Sequence, residues 1–113
     1  MSNGMNHVIL MGNLGSDPEF RTYPSGTAML RFRLATNESY LDRNRVRQVR
    51  TDWHDVVLWG ERAELVSQML SKGSWVVVEG SLRTSSYDKD GTRRYRTEVV
   101  AYDLHFTPAR ATG

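Results

Sequence analysis

The chain has 113 residues, 39% of them hydrophobic, with 15 basic and 13 acidic side chains for a formal net charge of +2. That length suits one domain, and that apolar share without any low-complexity stretch excludes a disordered chain. Cysteine is absent, which excludes a disulfide framework and a thiolate metal site. The apolar runs Val8–Met11 and Trp75–Val78 are far too short to span a membrane as helices. Nothing near Met1 combines the basic start and apolar stretch of a secretory signal, so a cytoplasmic location is expected.

Charge is distributed unevenly. Thirteen of the 15 cations are arginine, and seven of these lie between Arg21 and Arg50 against only Glu38 and Asp42, a local excess of +5. The planar guanidinium fork suits phosphate and stacks on rings. On composition alone a solvated basic surface explains the excess equally well.

Alternation at period two dominates the chain, the mark of half-buried strands. Residues 5–14 hold the apolar run Val8-Ile9-Leu10-Met11, closed by Gly12 and Gly15. Asp17-Pro18 and Tyr23-Pro24-Ser25-Gly26 read as turns. From Thr27 to Thr36, Ala28, Leu30, Phe32 and Leu34 take one face, and Arg31, Arg33 and Ala35 the other. Residues 37–50 are polar and basic without apolar periodicity, which predicts a loop or an extended hairpin tip. Trp53 to Trp59 resumes as a strand, with Trp53, Asp55, Val57 and Trp59 on one face and His54, Val56 and Leu58 on the other.

A single helix is predicted over Glu61–Ser71, where Leu65 and Met69, with Val66 and Leu70, form an i, i+4 stripe. Two acids open it, Lys72 follows its end and Gly73 stops it. Trp75–Arg83 reads as a strand, Asp88-Lys89-Asp90-Gly91 as a hairpin turn, and Thr92–Phe106 as a long returning strand. Residues 1–107 then make one domain, with 108–113 a short flexible tail. A lone helix between the third and fourth of five strands predicts an all-β oligonucleotide/oligosaccharide-binding (OB) barrel, with Leu65 and Met69 plugging one end.

The residues themselves are familiar. Asn6-His7-Val8-Ile9-Leu10-Met11-Gly12-Asn13-Leu14-Gly15-Ser16-Asp17-Pro18-Glu19 closely resembles the start of bacterial single-stranded DNA-binding proteins. Leu34-Ala35-Thr36-Asn37-Glu38-Ser39-Tyr40 and Thr51-Asp52-Trp53-His54-Asp55-Val56-Val57-Leu58-Trp59-Gly60 resemble the same family. So do Lys72-Gly73-Ser74, Val78-Glu79-Gly80-Ser81-Leu82-Arg83-Thr84 and Thr97-Glu98-Val99-Val100, in order and with similar spacing over residues 5 to about 105. The resemblance implies a non-catalytic binder of single-stranded DNA in replication, recombination and repair, nucleoid-associated and homotetrameric.

By resemblance the stacking rings are Tyr40, Trp53, Trp59 and Tyr87, the two tyrosines standing where tryptophan or phenylalanine is usual. His54 matches a subunit-interface position, and Trp75 and Val77 fall on a strand that helps build the family's tetramer. On that strand Trp75 and Val77 face opposite to Val76 and Val78, and a barrel strand has one inward face, so one pair must point outward. Family members usually continue into a linker and an acidic, phenylalanine-ending tail that recruits replication and repair enzymes. Neither precedes Gly113, so such partners are expected only if a tail lies beyond it.

Unpaired DNA exposes base faces and a flexible phosphate chain. Every base has a π-face, so stacking on a ring tolerates any sequence and is worth roughly 1–3 kcal/mol per base. Trp53 and Trp59 share a strand face about 20 Å apart, and Asp55 between them predicts a wet face rather than core. Phosphate partners are expected in Arg33, Arg43, Arg45, Arg47 and Arg83 first. Arg94 and Arg96 share one strand face, while Arg93 sits with Tyr95 on the other.

Catalysis has little to stand on. Adjacent His54 and Asp55 point to opposite strand faces. Gly12-Asn13-Leu14-Gly15 matches neither the dinucleotide nor the P-loop pattern. His7, His54 and His105 are too scattered in sequence to suggest a metal site, and no cofactor is expected. The rival readings are a primosome accessory protein of the same fold and a barrel that binds protein or sugar. The arginine excess disfavours the second.

Overall fold

The computed structural model describes residues 2–107. It contains β1 (Val8–Leu14), β2 (Glu19–Thr22), β3 (Ala28–Leu41), β4 (Arg47–Trp59), α1 (Glu61–Ser67), β5 (Trp75–Lys89) and β6 (Thr92–Phe106). The sheet closes on itself. β1 pairs antiparallel with β5, and β5 with β6. β6 runs parallel to β4 through Val56↔Val99 and Val57↔Val100. β4 pairs with β3, which returns to β1 through Asn13↔Ala35 and Leu14↔Leu34. This is the predicted five-stranded OB barrel, with α1 between its third and fourth strands.

The short β2 was not anticipated. It pairs with β3 from Glu19↔Arg31 to Thr22↔Ala28, so β1 and β2 are halves of one bent strand, both lying along β3. The break falls at Gly15–Pro18, where proline's missing N–H interrupts the ladder and the Asp17 carboxylate accepts the Lys72 N–H at 2.8 Å. All four β2 residues are exposed, so no alternation advertised the strand.

Alternation elsewhere did mark the core. Leu30, Phe32 and Leu34 of β3, Val56 and Leu58 of β4, Val76 and Val78 of β5, and Val99 and Ala101 of β6 point inward and are buried. β1 crosses β3 so closely at the closure that a Cβ on Gly12 would overlap the Ala35 carbonyl oxygen, so only glycine fits.

The helix corrects one expectation. Ala63, Val66 and Leu70 plug the barrel end, while Leu65 is exposed and Met69 only half-buried. α1 stops at Ser67 after seven residues. Its inward face follows the 63–66–70 spacing, and alanine is too weak an apolar signal to have revealed that face over the Leu65–Met69 alternative.

Two hairpins run past the barrel. β3 and β4 stay in register to Leu41↔Arg47, so residues 37–50 are strand for most of their length and the loop proper is 42–46. β5 continues beyond the expected end at Arg83 to Lys89, which pairs with Thr92 across Asp90-Gly91. Both turn residues have positive φ, 54° and 78°, as a type I′ hairpin requires. Neither arm has a buried side, so neither shows the apolar period that makes strands readable.

Candidate nucleic-acid interface

The outer wall of the barrel presents a continuous face over β3, β4, β6 and β5. On β3 and β4 it follows the cross-strand pairs Met29↔Trp59, Arg31↔Val57, Arg33↔Asp55 and Ala35↔Trp53, although Met29 and Val57 are themselves buried beneath their neighbours. Trp53 and Trp59 are 49% and 47% exposed, so neither belongs to the core. Each ring is braced from beneath. The Arg33 guanidinium carbon lies 4.9 Å from the centre of the Trp53 ring, and Gly15 lies so close under that ring that a Cβ there would overlap it. Trp59 stacks on Tyr23 at 5.9 Å between ring centres and 28° between planes, and the Tyr23 hydroxyl reaches Met29 Sδ at 3.7 Å. Two large flat faces are thus held outward on rigid strands. Tyr23 is a partner that sequence reading took only as a turn residue, since nothing local told of the ring it would meet.

Register extends the face onto the β5–β6 arm. Arg83 pairs with Glu98, Ser85 with Arg96 and Tyr87 with Arg94, and Arg96 Cζ lies 5.7 Å from the centre of the Tyr87 ring. Arg94 and Arg96 therefore sit with Tyr87, as their shared parity allowed, although they were not ranked first. The Asp90-Gly91 turn fixes that register and could have singled them out. Arg31 is engaged differently: its Nη2 meets Glu98 Oε2 at 2.6 Å, tying β3 to β6 over β4.

Which guanidiniums are free to meet phosphate follows from the acids around them. Arg21, Arg31, Arg33, Arg50, Arg62 and Arg93 each have a carboxylate oxygen within 4.0 Å. Among the described residues Arg43, Arg45, Arg47, Arg83, Arg94 and Arg96 have none, although Arg47 donates to Ser39 Oγ at 2.7 Å. The 42–46 loop that presents the first of them is built around Asp42. Its Oδ1 accepts the N–H groups of Asn44 and Val46, at 2.8 and 2.9 Å, and its Oδ2 the Gln48 amide at 3.1 Å. Those bonds, the Val46 N–H first, hold the Asp42 carboxyl below the usual aspartate range.

Other expected residues lie elsewhere. Tyr40 is half exposed on the β3–β4 arm, but it pairs with Gln48 and has the parity of Thr36 and His54, opposite to Trp53. A strand running over both rings must therefore pass around the arm's edge. Trp75 is exposed and Val77 half-buried, opposite to the fully buried Val76 and Val78, and Val77 pairs with Met11 of β1. Exposed Ile9 and Met11 extend that apolar patch. His54 is not on it: the ring faces the barrel's inner side, with Nε2 2.9 Å from Thr36 Oγ1. The histidines are less scattered than the sequence implied. β1, β5 and β6 are neighbours, and both His7 and His105 come to within 4.0 Å of Glu79.

Comparison with known proteins matches this architecture. Residues 5–107 match the single-strand binding protein family. Single-stranded DNA-binding protein 1 of Chlorobaculum tepidum is 44% identical over 115 residues, which take in all of this chain and 71% of that protein. An SSB of Plasmodium falciparum, solved in complex with ssDNA, superposes with a TM-score of 0.86 at 32% identity, covering 95% of this chain and 98% of that one. A deletion mutant of the single-stranded DNA binding protein from Thermus aquaticus gives 0.84 at 32% identity, covering 97% of this chain and 54% of that one.

Proposed function

The chain belongs to the single-strand binding protein family, and from that premise we propose that it grips unpaired DNA of any sequence during replication, recombination and repair. Bases stack on Trp53, Trp59 and Tyr87, with Tyr40 taking the strand around the β3–β4 arm. Phosphates pair with Arg43, Arg45, Arg47 and Arg83, joined by Arg94 and Arg96, while Arg33 chiefly braces the Trp53 ring. The supporting observation is the shared outer face: half-exposed rings held from beneath, with guanidiniums that lack acid partners around them. Proteins of this family bind DNA without catalysing a reaction, and this chain is likewise a binder and not an enzyme.

Oligomerisation is part of the proposal. Ile9, Met11, Trp75 and Val77 form an outward apolar patch on β1 and β5, which a monomer leaves in water. A homotetramer that buries this patch accounts for its outward side chains, with half-buried His54 assigned to another contact by the family resemblance alone. Residues 1–107 are proposed as the DNA-binding unit; the suggested tail, 108–113, lies outside the described residues. Recruitment of replication and repair enzymes is proposed only if an acidic tail lies beyond position 113, and action in the cytoplasm at the nucleoid is proposed from the DNA partner.

Titration with oligo-dT at two salt concentrations, beside duplex DNA of equal length, tests the reading. Tight oligo-dT binding that weakens with salt, by roughly 0.7 log units of affinity per log unit of salt for each phosphate neutralised, is expected. Duplex binding should be far weaker, because paired bases cannot reach the rings. Equal affinity for duplex would reduce the surface to a generic cation patch.

A further inference from the structure

Glu79 of β5 and Asp103 of β6 are directly opposed cross-strand partners, both half-buried on the outer wall. Like charges so placed repel; the Arg62 guanidinium, 3.9 Å from Asp103 Oδ1, offsets part of that repulsion, and a cation held between the two carboxylates would offset the rest. A β-bulge puts them there. The register steps from Glu79↔Asp103 to Gly80↔Ala101, leaving Tyr102 as the extra residue of β6. Without it Asp103 would share the inward parity of buried Ala101. With it, Tyr102, Asp103 and His105 all face out. Bulges commonly re-aim side chains in this way at functional places.

The donors then converge. Asp103 Oδ2 lies 3.5 Å from His105 Nε2, which lies 4.0 Å from Glu79 Oε1. One ligand atom from each of the three residues falls within 4.8 Å of the others. His7 Nε2 stands 3.9 Å from the second Glu79 oxygen, and its Nδ1 is hydrogen-bonded to the Tyr102 hydroxyl. Asp103 Oδ1 accepts the Leu104 N–H at 3.0 Å, which leaves Oδ2 turned to the cluster.

We infer that Glu79, Asp103 and His105 form a three-donor binding site for one divalent transition-metal ion of the zinc class, with solvent as the fourth ligand. Ligands about 2.0–2.2 Å from a tetrahedral ion stand roughly 3.4 Å apart, so small rotamer shifts close the set. Imidazole nitrogens beside carboxylates select zinc, cobalt or nickel over calcium and magnesium, which take oxygen alone. His7, held by the Tyr102 hydroxyl and 3.9 Å from Glu79 Oε2, steadies the Glu79 carboxylate from behind, as outer partners of metal ligands do. An ion here pins β5 and β6 together on a sector of wall away from the β3–β4 face with Trp53 and Trp59.

The test uses the full untagged chain, stripped with chelator and titrated with Zn²⁺ against a chromophoric competitor, then with Co²⁺ read by its visible bands. One equivalent of Zn²⁺ per chain at micromolar affinity, and the intense bands of four-coordinate Co²⁺, are expected. Glu79→Gln and His105→Ala should each weaken Zn²⁺ binding at least tenfold, and Tyr102→Phe a few-fold. Glu64→Gln, an exposed acid on α1, should not. Oligo-dT affinity should be the same with and without the metal. Absence of saturable one-to-one binding, six-coordinate Co²⁺ spectra in the unmutated chain, or equal affinity in Glu79→Gln and Glu64→Gln would overturn the assignment.

Discussion

Gly15→Ala probes the groove without replacing any side chain that would contact DNA. The backbone at Gly15 is outside the left-handed region, so alanine adopts it without strain. The added methyl, however, overlaps the six-membered edge of the Trp53 ring. The ring is the far end of a half-exposed side chain, so it yields, moving outward by about 1 Å to regain ordinary contact near 3.5 Å. The Arg33 guanidinium, 4.9 Å from the centre of that ring, must follow. Stacking supplies roughly 1–3 kcal/mol per base, and a ring displaced on its track forfeits on the order of 1 kcal/mol, about fivefold in affinity. Melting should fall by only a few degrees, since the displaced rotamer costs roughly 0.5–1.5 kcal/mol. Oligo-dT titration by fluorescence, beside thermal unfolding, measures both. The decisive comparison is a cycle with Trp53→Ala, in which Gly15→Ala should no longer matter. An undiminished Gly15→Ala loss in the Trp53→Ala background would refute the claim that this glycine acts through the ring.

Changing Arg43, Arg45 and Arg47 together to alanine should flatten the salt dependence by about 2 log units per log unit of salt, with base preference intact; an unchanged slope would remove the loop from the phosphate track. Val77→Arg sets a charge beside Met11 and Trp75 and should split the proposed tetramer in light scattering, whereas an intact tetramer would exclude this patch as a contact. Asp42 has its folded pKa depressed, so the loop order it maintains is fully present above the ordinary aspartate range and lost as pH falls through the lowered value. The Asn44 and Val46 amide resonances should therefore titrate together with a midpoint below that of a free aspartate, and a midpoint at or above it would contradict the hydrogen bonding around Asp42.

The barrel was legible wherever a strand has one wet and one dry face. Leu30, Phe32 and Leu34 against Arg31 and Arg33 gave β3, and Asp55 between two tryptophans correctly marked the wet side of β4. The arms were legible in part. Asp88-Lys89-Asp90-Gly91 marked one turn and Thr92–Phe106 its returning strand. Residues 37–50 and 84–87 bury neither face and lack a period, so 37–50 read equally as loop or extended hairpin tip. Leu65 and Met69 misled because two stripes fit one short helix and the true one contains the inconspicuous Ala63. Tyr23 under Trp59, and His7 beside Glu79 and His105, depend on neighbours brought together by closure of the barrel. Those contacts are tertiary, and no local pattern announces them. The bulge at Tyr102 is the sharpest case. One unpaired residue reverses the facing of Asp103, and strict alternation would have hidden that carboxylate in the core.

Trp53 and Trp59 are proposed as stacking surfaces and not as structural rings. Oligo-dT affinity of Trp53→Ala and Trp59→Ala, each compared with its phenylalanine variant and with folding checked by thermal unfolding, separates the two. Each alanine variant should lose about 1–3 kcal/mol of binding, and each phenylalanine variant should recover much of that because a flat face remains. Wild-type affinity in both folded alanine variants would contradict the account.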